Sequence, residues 1–214
     1  MGRALGADYR MVRNSMKSIR LALWGAVVVL LGVMGWLTVE LTKSREQMVE
    51  EAYGVPFQLI AQNGQPITEK AFQGKPTALF FGFTHCPEVC PTTLFELNGW
   101  MEKVDPAGDK LQAYFVSVDP ERDTPEVMNQ YISNVSKRIT GITGAPDKIA
   151  ETLKGYRIYA KKVPVDEKDP NGDYTMDHTA SVILLRPDGS FGGTIAYGEN
   201  PDVAVQKLQN LVKS

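Results

Sequence analysis

The sequence predicts a three-layer α/β domain with a mixed sheet, preceded by one N-terminal transmembrane helix. Three observations carry that expectation. A charge-free apolar run of 19 residues, Leu21–Val39, lies near the N-terminus. Beyond it, apolar strand-like runs alternate with helix-like segments, the pattern of a sheet covered by helices. The last two strand-like runs are joined by a tight turn, so part of that sheet is antiparallel. A chain of 214 residues, 43% hydrophobic, suits one such domain with a core that needs no disulfide framework.

The apolar run spans about 28 Å as a helix, close to the hydrocarbon thickness of a bilayer of about 30 Å. Trp24 and Trp36 lie near its ends, where aromatic rings favour the interface. A cleaved signal peptide would have a shorter apolar stretch and a small-x-small cleavage site; the exit TVELTKSREQMVEE contains none. Residues 1–40 hold five basic groups (Arg3, Arg10, Arg13, Lys17, Arg20) and two acidic ones, which leaves 18 basic against 23 acidic in the rest. The basic excess places residues 1–20 as a cytoplasmic leader and sends the remainder across the membrane. A leader of this length containing Asp8 does not suit a mitochondrial transit peptide, so a bacterial inner membrane with a periplasmic domain is expected. Residues 40–54 then form a spacer and 55–214 the soluble domain. The acidic balance of that domain has the wrong sign for a nucleic-acid partner.

Along the domain, Pro56–Ile60 is a short apolar run followed by the hairpin signal Asn63-Gly64. Thr77–Phe83 and Gln112–Val118 are continuous apolar runs, as expected of strands buried on both faces. Asp123-Thr124-Pro125-Glu126 supplies a cap and a first-turn proline for a helix to about Val135. Ala145–Tyr156 follows as a shorter helix, Arg157–Val163 as a strand, and Pro164–Tyr174 as an exposed loop. Ser181–Leu185 and Phe191–Ala196 flank the turn Arg186-Pro187-Asp188-Gly189, and Pro201–Val212 closes the chain with a helix.

The chemistry concentrates in Phe80–Leu94, FFGFTHCPEVCPTTL, which holds both cysteines of the protein. Cys86 and Cys90 are four residues apart at an expected helix start. That spacing would put both sulfurs on one helical face, and a helix N-terminus favours the thiolate. A structural disulfide and a pair of inert thiols are the plain alternatives. Cys-x-x-x-Cys is one residue longer than the thiol–disulfide exchange motif, which opens room for an ion between the sulfurs. Val89-Cys90-Pro91-Thr92 is superficially similar to a peroxiredoxin segment, but Pro87 stands where those enzymes carry threonine.

The chain lacks the ligands for a four-cysteine zinc module, and its two histidines lie too far apart for a zinc finger. His85, beside Cys86, would project away from the shared face. His178, ahead of Ser181–Leu185, can face the cysteines if that strand lies near the one ending at Phe83; otherwise it is a structural histidine. Met176, Asp177 and Glu88 offer at most weak contacts or local charge. Two thiolates and one imidazole suit three-coordinate copper(I) better than tetrahedral zinc.

At these residues the chain resembles the Sco/SenC family of membrane-anchored copper proteins of cytochrome oxidase assembly. The resemblance runs over about Pro56–Val212. It is carried by Gly82–Pro91 (GFTHCPEVCP), Ser117–Pro125 (SVDPERDTP), Thr143-Gly144 and Asp177-His178-Thr179, in that order, with no departure at the three ligand positions. It implies a thioredoxin-like fold in which Cys86, Cys90 and His178 bind one copper ion, favouring copper(I) and admitting copper(II). It also implies that the protein supplies copper to the dinuclear centre of cytochrome c oxidase subunit II, or keeps that subunit's cysteines reduced. A periplasmic copper donor and a thiol reductant would then be further partners. In thiol–disulfide exchange Cys86 would attack and Cys90 resolve. Asp119–Asp123 is expected to shape the wall beside the site, and Pro164–Tyr174 and the segment around His85 are candidate partner-facing surfaces.

Overall fold

The computed structural model of the chain describes residues 24–40, 53–169 and 172–213. The chain divides into two units, Met1–Glu51 and Ala52–Ser214. In the first, residues 24–40 form a helix (α1) with exposed apolar side chains, among them Trp24 and Trp36. Among the described residues no helix is long and apolar enough to cross a membrane. Residues 21–23, the start of the expected span, lie outside the described part, as do the leader 1–20 and most of the spacer.

The second unit is built on a seven-stranded mixed sheet. Its strands are β1 (Gln58–Ala61), β2 (Pro66–Thr68), β3 (Thr77–Gly82), β4 (Gln112–Ser117), β5 (Ile139–Thr143), β8 (Val182–Leu185) and β9 (Phe191–Ile195), in the order β2-β1-β5-β4-β3-β8-β9. β3, β4 and β5 run parallel, while β1, β2, β8 and β9 join antiparallel. Two further strands, β6 (Ala160–Pro164) and β7 (Tyr174–His178), pair only with each other.

All six residues of β3 are buried, although successive side chains point to opposite faces. Both faces of the sheet are therefore covered, which makes three layers and a thioredoxin-like fold. The helices are α2 (Val89–Val104), α3 (Pro125–Ser133), α4 (Pro146–Gly155) and α5 (Pro201–Lys213). α2 buries Cys90, Thr93, Leu94, Leu97, Trp100 and Met101, a single stripe at helical spacing, and packs beside α5. Its far end is tied down by Asp105, a buried carboxylate that accepts the N–H groups of Gly108, Asp109, Lys110 and Leu111 and pairs with Arg138. Thr124 caps α3 by accepting from the Val127 N–H at 3.3 Å, as the sequence signal at that point requires.

Two strands depart from the sequence expectation. β5 (ITGIT) carries no long apolar run, because glycine and threonine fill it; tertiary burial makes it a strand. β7 begins at the end of the expected loop Pro164–Tyr174. Its five residues alternate partly buried and exposed, but the strand is short, follows directly on turn residues and contains no Val, Ile or Leu to mark it.

Candidate metal centre

The site sits where β3 ends. Phe83 and Thr84 leave the strand, and the Cys86 N–H donates to the Phe83 carbonyl at 3.3 Å. Cys86 thus lies in the loop, three residues before α2, whereas Cys90 is the second residue of the helix. The sulfurs converge without sharing a helical turn, which corrects the expectation of a common helical face. The loop brings Cys86 to the helix mouth, and the Cys90 N–H donates to its sulfur at 3.3 Å. Glu88 at the N-cap position makes no side-chain capping bond, so the Cys86 sulfur serves one of the donors that a helix N-terminus leaves unpaired. Pro91 is tolerated in this first turn because no intrahelical donor is needed there.

The two thiols have opposite electrostatics. The Cys90 side chain donates to Cys86; with the polar contacts of the His178 ring and of backbone N–H groups, this overcomes burial and lowers the Cys86 pKa to about 4. Cys90 is 0% exposed, and its pKa is pushed up by donating to Cys86 and by burial. Both cysteines are free thiols. Cys86, partly exposed, is therefore the ready thiolate at neutral pH, and Cys90 the protected thiol.

Gly82 explains how Cys90 is accommodated. A Cβ at this position would stand 2.7 Å from the Cys90 sulfur and 2.7 Å from Phe115 Cε2. Only glycine lets the strand pass so close beneath the sulfur. Its signal was present in the sequence as an isolated glycine within an apolar run.

His178 ends β7. Because β8 pairs with β3 through Phe80↔Val182, the chain just before β8 is brought over the end of β3, the condition under which the histidine can face the cysteines. Its Nε2 lies 3.8 Å from the Cys90 sulfur. Its Nδ1 lies 2.9 Å from the Thr179 carbonyl; donation there leaves the Nε2 lone pair directed at the sulfur. Phe83 meets the imidazole edge-on at 5.7 Å between centroids, and Phe80 does so at 6.5 Å. His85 is exposed and contacts the Thr84 hydroxyl through Nδ1 at 3.1 Å, outside this group. Glu88 and Asp177 are exposed, and Met176 packs against the core.

Behind the cysteine loop, buried Asp123 accepts from the Thr84 hydroxyl and the Ser117 hydroxyl, each at 2.6 Å, and its pKa is raised by burial despite them. Asp119 pairs with Arg122 and accepts from the Tyr174 hydroxyl at 2.8 Å. The wall expected of Asp119–Asp123 is therefore present. Its connection to Tyr174 was invisible in the sequence, since the two residues are 55 positions apart.

Among the described residues no three His, Cys, Asp or Glu donors are already drawn together as a metal cluster. The sulfur and imidazole instead stand at contact distance. The donor chemistry is nonetheless coherent: a thiolate, a thiol that can lose its proton, and an imidazole nitrogen with a free lone pair form a soft set that suits copper(I).

Fold and site together define a thioredoxin-like protein whose dithiol, at a helix start, is faced by an imidazole. A family model described as SCO1/SenC matches residues 45–213, and the chain belongs to that family. Protein SCO2, mitochondrial, of Saccharomyces cerevisiae is 33% identical over 204 residues, covering 89% of this chain and 67% of that protein. Protein SCO1 homolog 1, mitochondrial, of Arabidopsis thaliana is 39% identical over 71% of this chain and 44% of its own length. The chain thus spans about half to two thirds of the length of these curated relatives. The structure of Bradyrhizobium japonicum ScoI with copper bound is 46% identical, with a TM-score of 0.67 over 75% of this chain and 99% of that one. Yeast Sco1 with copper bound is 34% identical, with a TM-score of 0.68 over 76% of this chain and 90% of that one.

Proposed function

We propose that this protein is a membrane-anchored copper metallochaperone. It binds one copper(I) ion through Cys86, Cys90 and His178, and it supports assembly of the dinuclear copper centre of cytochrome c oxidase, with subunit II as the recipient. The observation that carries the proposal is the imidazole of His178, with Nδ1 engaged by Thr179 and Nε2 3.8 Å from the Cys90 sulfur. Metal–ligand lengths of the size zinc sites show, about 2.0 Å to nitrogen and 2.3 Å to sulfur, would separate two ligands of one ion by roughly 3.5–3.8 Å. Copper-bound relatives in the same family support the choice of metal. Copper here is cargo: a soft site with a reactive, partly exposed Cys86 can hand the ion to a partner's thiolates one ligand at a time.

Residues 21–39 anchor the protein in a bacterial inner membrane, residues 1–20 stay in the cytoplasm, and 40–54 link the anchor to the periplasmic copper-binding domain 55–214. The charge-free run of 19 residues and the basic leader support this topology. A periplasmic copper donor and a thiol reductant complete the set of partners.

One observation favours a second role, as a thiol–disulfide oxidoreductase: the contrast between a low-pKa Cys86 and a buried Cys90. The Cys86 thiolate would attack a disulfide of the oxidase subunit, forming a mixed disulfide and releasing one partner thiolate. The Cys90 thiol, losing its proton, would then attack the Cys86 sulfur. That leaves the partner dithiol reduced and a Cys86–Cys90 disulfide for an external dithiol reductant to reopen.

An anaerobic copper(I) competition titration on the reduced full chain in detergent micelles separates the two. One copper per chain, bound at least about tenfold more weakly by His178→Ala, is the expected result for the chaperone. Equal binding by the variant removes His178 from the site and leaves the dithiol chemistry as the better account.

A further inference from the structure

The hairpin β6–β7 brings His178 to the site without pairing to the seven-stranded sheet, so contacts other than strand pairing must set the angle at which the imidazole arrives. Ala160 and Met176 give it partial apolar packing. Two side chains tie the hairpin to the turn after β4: Lys162, which pairs with Glu121 and lies 4.5 Å from the centre of the Tyr174 ring, and the less exposed Arg122, which makes more contacts. The Arg122 Nε pairs with buried Asp119, and NH1 donates to the backbone carbonyl of Tyr174 at 3.0 Å. The guanidinium carbon lies 3.9 Å from the centre of the Tyr174 ring, and the Tyr174 hydroxyl closes the cycle by donating to Asp119 at 2.8 Å. The same guanidinium stands 5.9 Å from the Phe83 ring, and Phe83 is the ring that meets His178 edge-on. Arg122 thus touches both supports of the histidine: the strand that carries it and the aromatic ring against which it rests.

We propose that Arg122 is a positioning residue for His178, a latch that fixes the β6–β7 hairpin and aims Nε2 at the dithiol. The proposal rests on His178 being a copper ligand. Physically, the buried carboxylate of Asp119 holds the guanidinium in one orientation, and the fixed guanidinium offers a planar cation to the Tyr174 ring and a donor to its carbonyl. A residue that orients a ligand in this way affects metal binding only through that ligand.

A double-mutant cycle tests it. Copper(I) competition titrations on the reduced full chain in micelles compare wild type, Arg122→Gln, His178→Ala and the double variant. Arg122→Gln is expected to weaken binding about tenfold in the wild-type background. In the His178→Ala background it is expected to change binding by less than about twofold. A second readout needs no metal: NMR of the His178 ring protons, which Phe83 shifts in wild type and which move toward ordinary histidine values in Arg122→Gln. Tyr174→Leu removes the ring and hydroxyl contacts of the latch from the hairpin side, keeping the backbone one, and gives both measurements should Arg122→Gln fail to fold. Equal weakening in both backgrounds, or unmoved His178 resonances, overturns the latch. If His178→Ala binds copper like wild type, the three-ligand site falls instead, and the ring resonances still decide whether Arg122 holds the histidine.

Discussion

β3 and β7 both end at the candidate metal centre, yet different physics holds each in place. β3 lies between β4 and β8, all its side chains are buried, and Phe80 and Phe81 extend the core on opposite faces. β7 has one strand neighbour, alternates partly buried with exposed residues, and depends on the Asp119–Arg122–Tyr174 contacts. Cys90 is therefore fixed by close packing, which has no low-cost alternative arrangement, while Cys86 lies partly exposed in the loop before the helix. The imidazole is fixed by a few polar and cation–π contacts, which water can replace. A site built this way can loosen its histidine while Cys90 stays in place.

Four measurements break or sharpen this comparison. The largest effect belongs to the scaffold: Phe80→Ala empties a fully buried ring site and is expected to cost about 3–5 kcal/mol in denaturant unfolding of the full chain, followed through buried Trp100. A loss below about 1 kcal/mol would mean that β3 is not the rigid member of the pair.

Next comes the pH dependence of Cys86. With its pKa lowered to about 4, it remains thiolate from pH 8 down to pH 6. Its alkylation by iodoacetamide, read by mass spectrometry, is expected to change by less than about twofold over that range, while an ordinary cysteine slows by roughly two orders of magnitude. A tenfold drop per pH unit would return Cys86 to an ordinary thiol.

Gly82→Ala follows. The new methyl group must displace either the Cys90 sulfur or Phe115, at an expected cost of about 1–3 kcal/mol in the same unfolding assay, together with weaker copper(I) binding. Stability and binding that both match wild type would show that the strand does not press on the sulfur. The smallest effect is expected on the hairpin surface. Lys162 pairs with Glu121 while nearly half exposed, so Lys162→Ala should change stability by less than about 1 kcal/mol. A larger loss would move β6–β7 into the scaffold.

Much of this was legible in the residues. The cysteine segment announced its chemistry through composition and spacing. β3, β4 and β8 were visible as apolar runs, and the starts of α3 and α4 as proline-marked turns. β5 and β7 were not, because one is rich in glycine and threonine and the other is short, only partly buried and without Val, Ile or Leu. The placement of Cys86 in a loop rather than on the helix also escaped, since an i, i+4 spacing near a helix start reads the same whether or not its first residue has entered the helix.

What the sequence determined by itself was local. Apolar runs, caps, turns and the donor types at Cys86, Cys90 and His178 follow from the chemistry of neighbouring residues. What only the tertiary structure decided was convergence: the approach of His178 to Cys90 across 88 residues, the passage of Gly82 beneath the sulfur, and the meeting of Arg122 with Tyr174. Those contacts depend on which strands pair and in which register. Pairing is settled by burial of the whole sheet rather than by any one segment, and so it leaves no local mark.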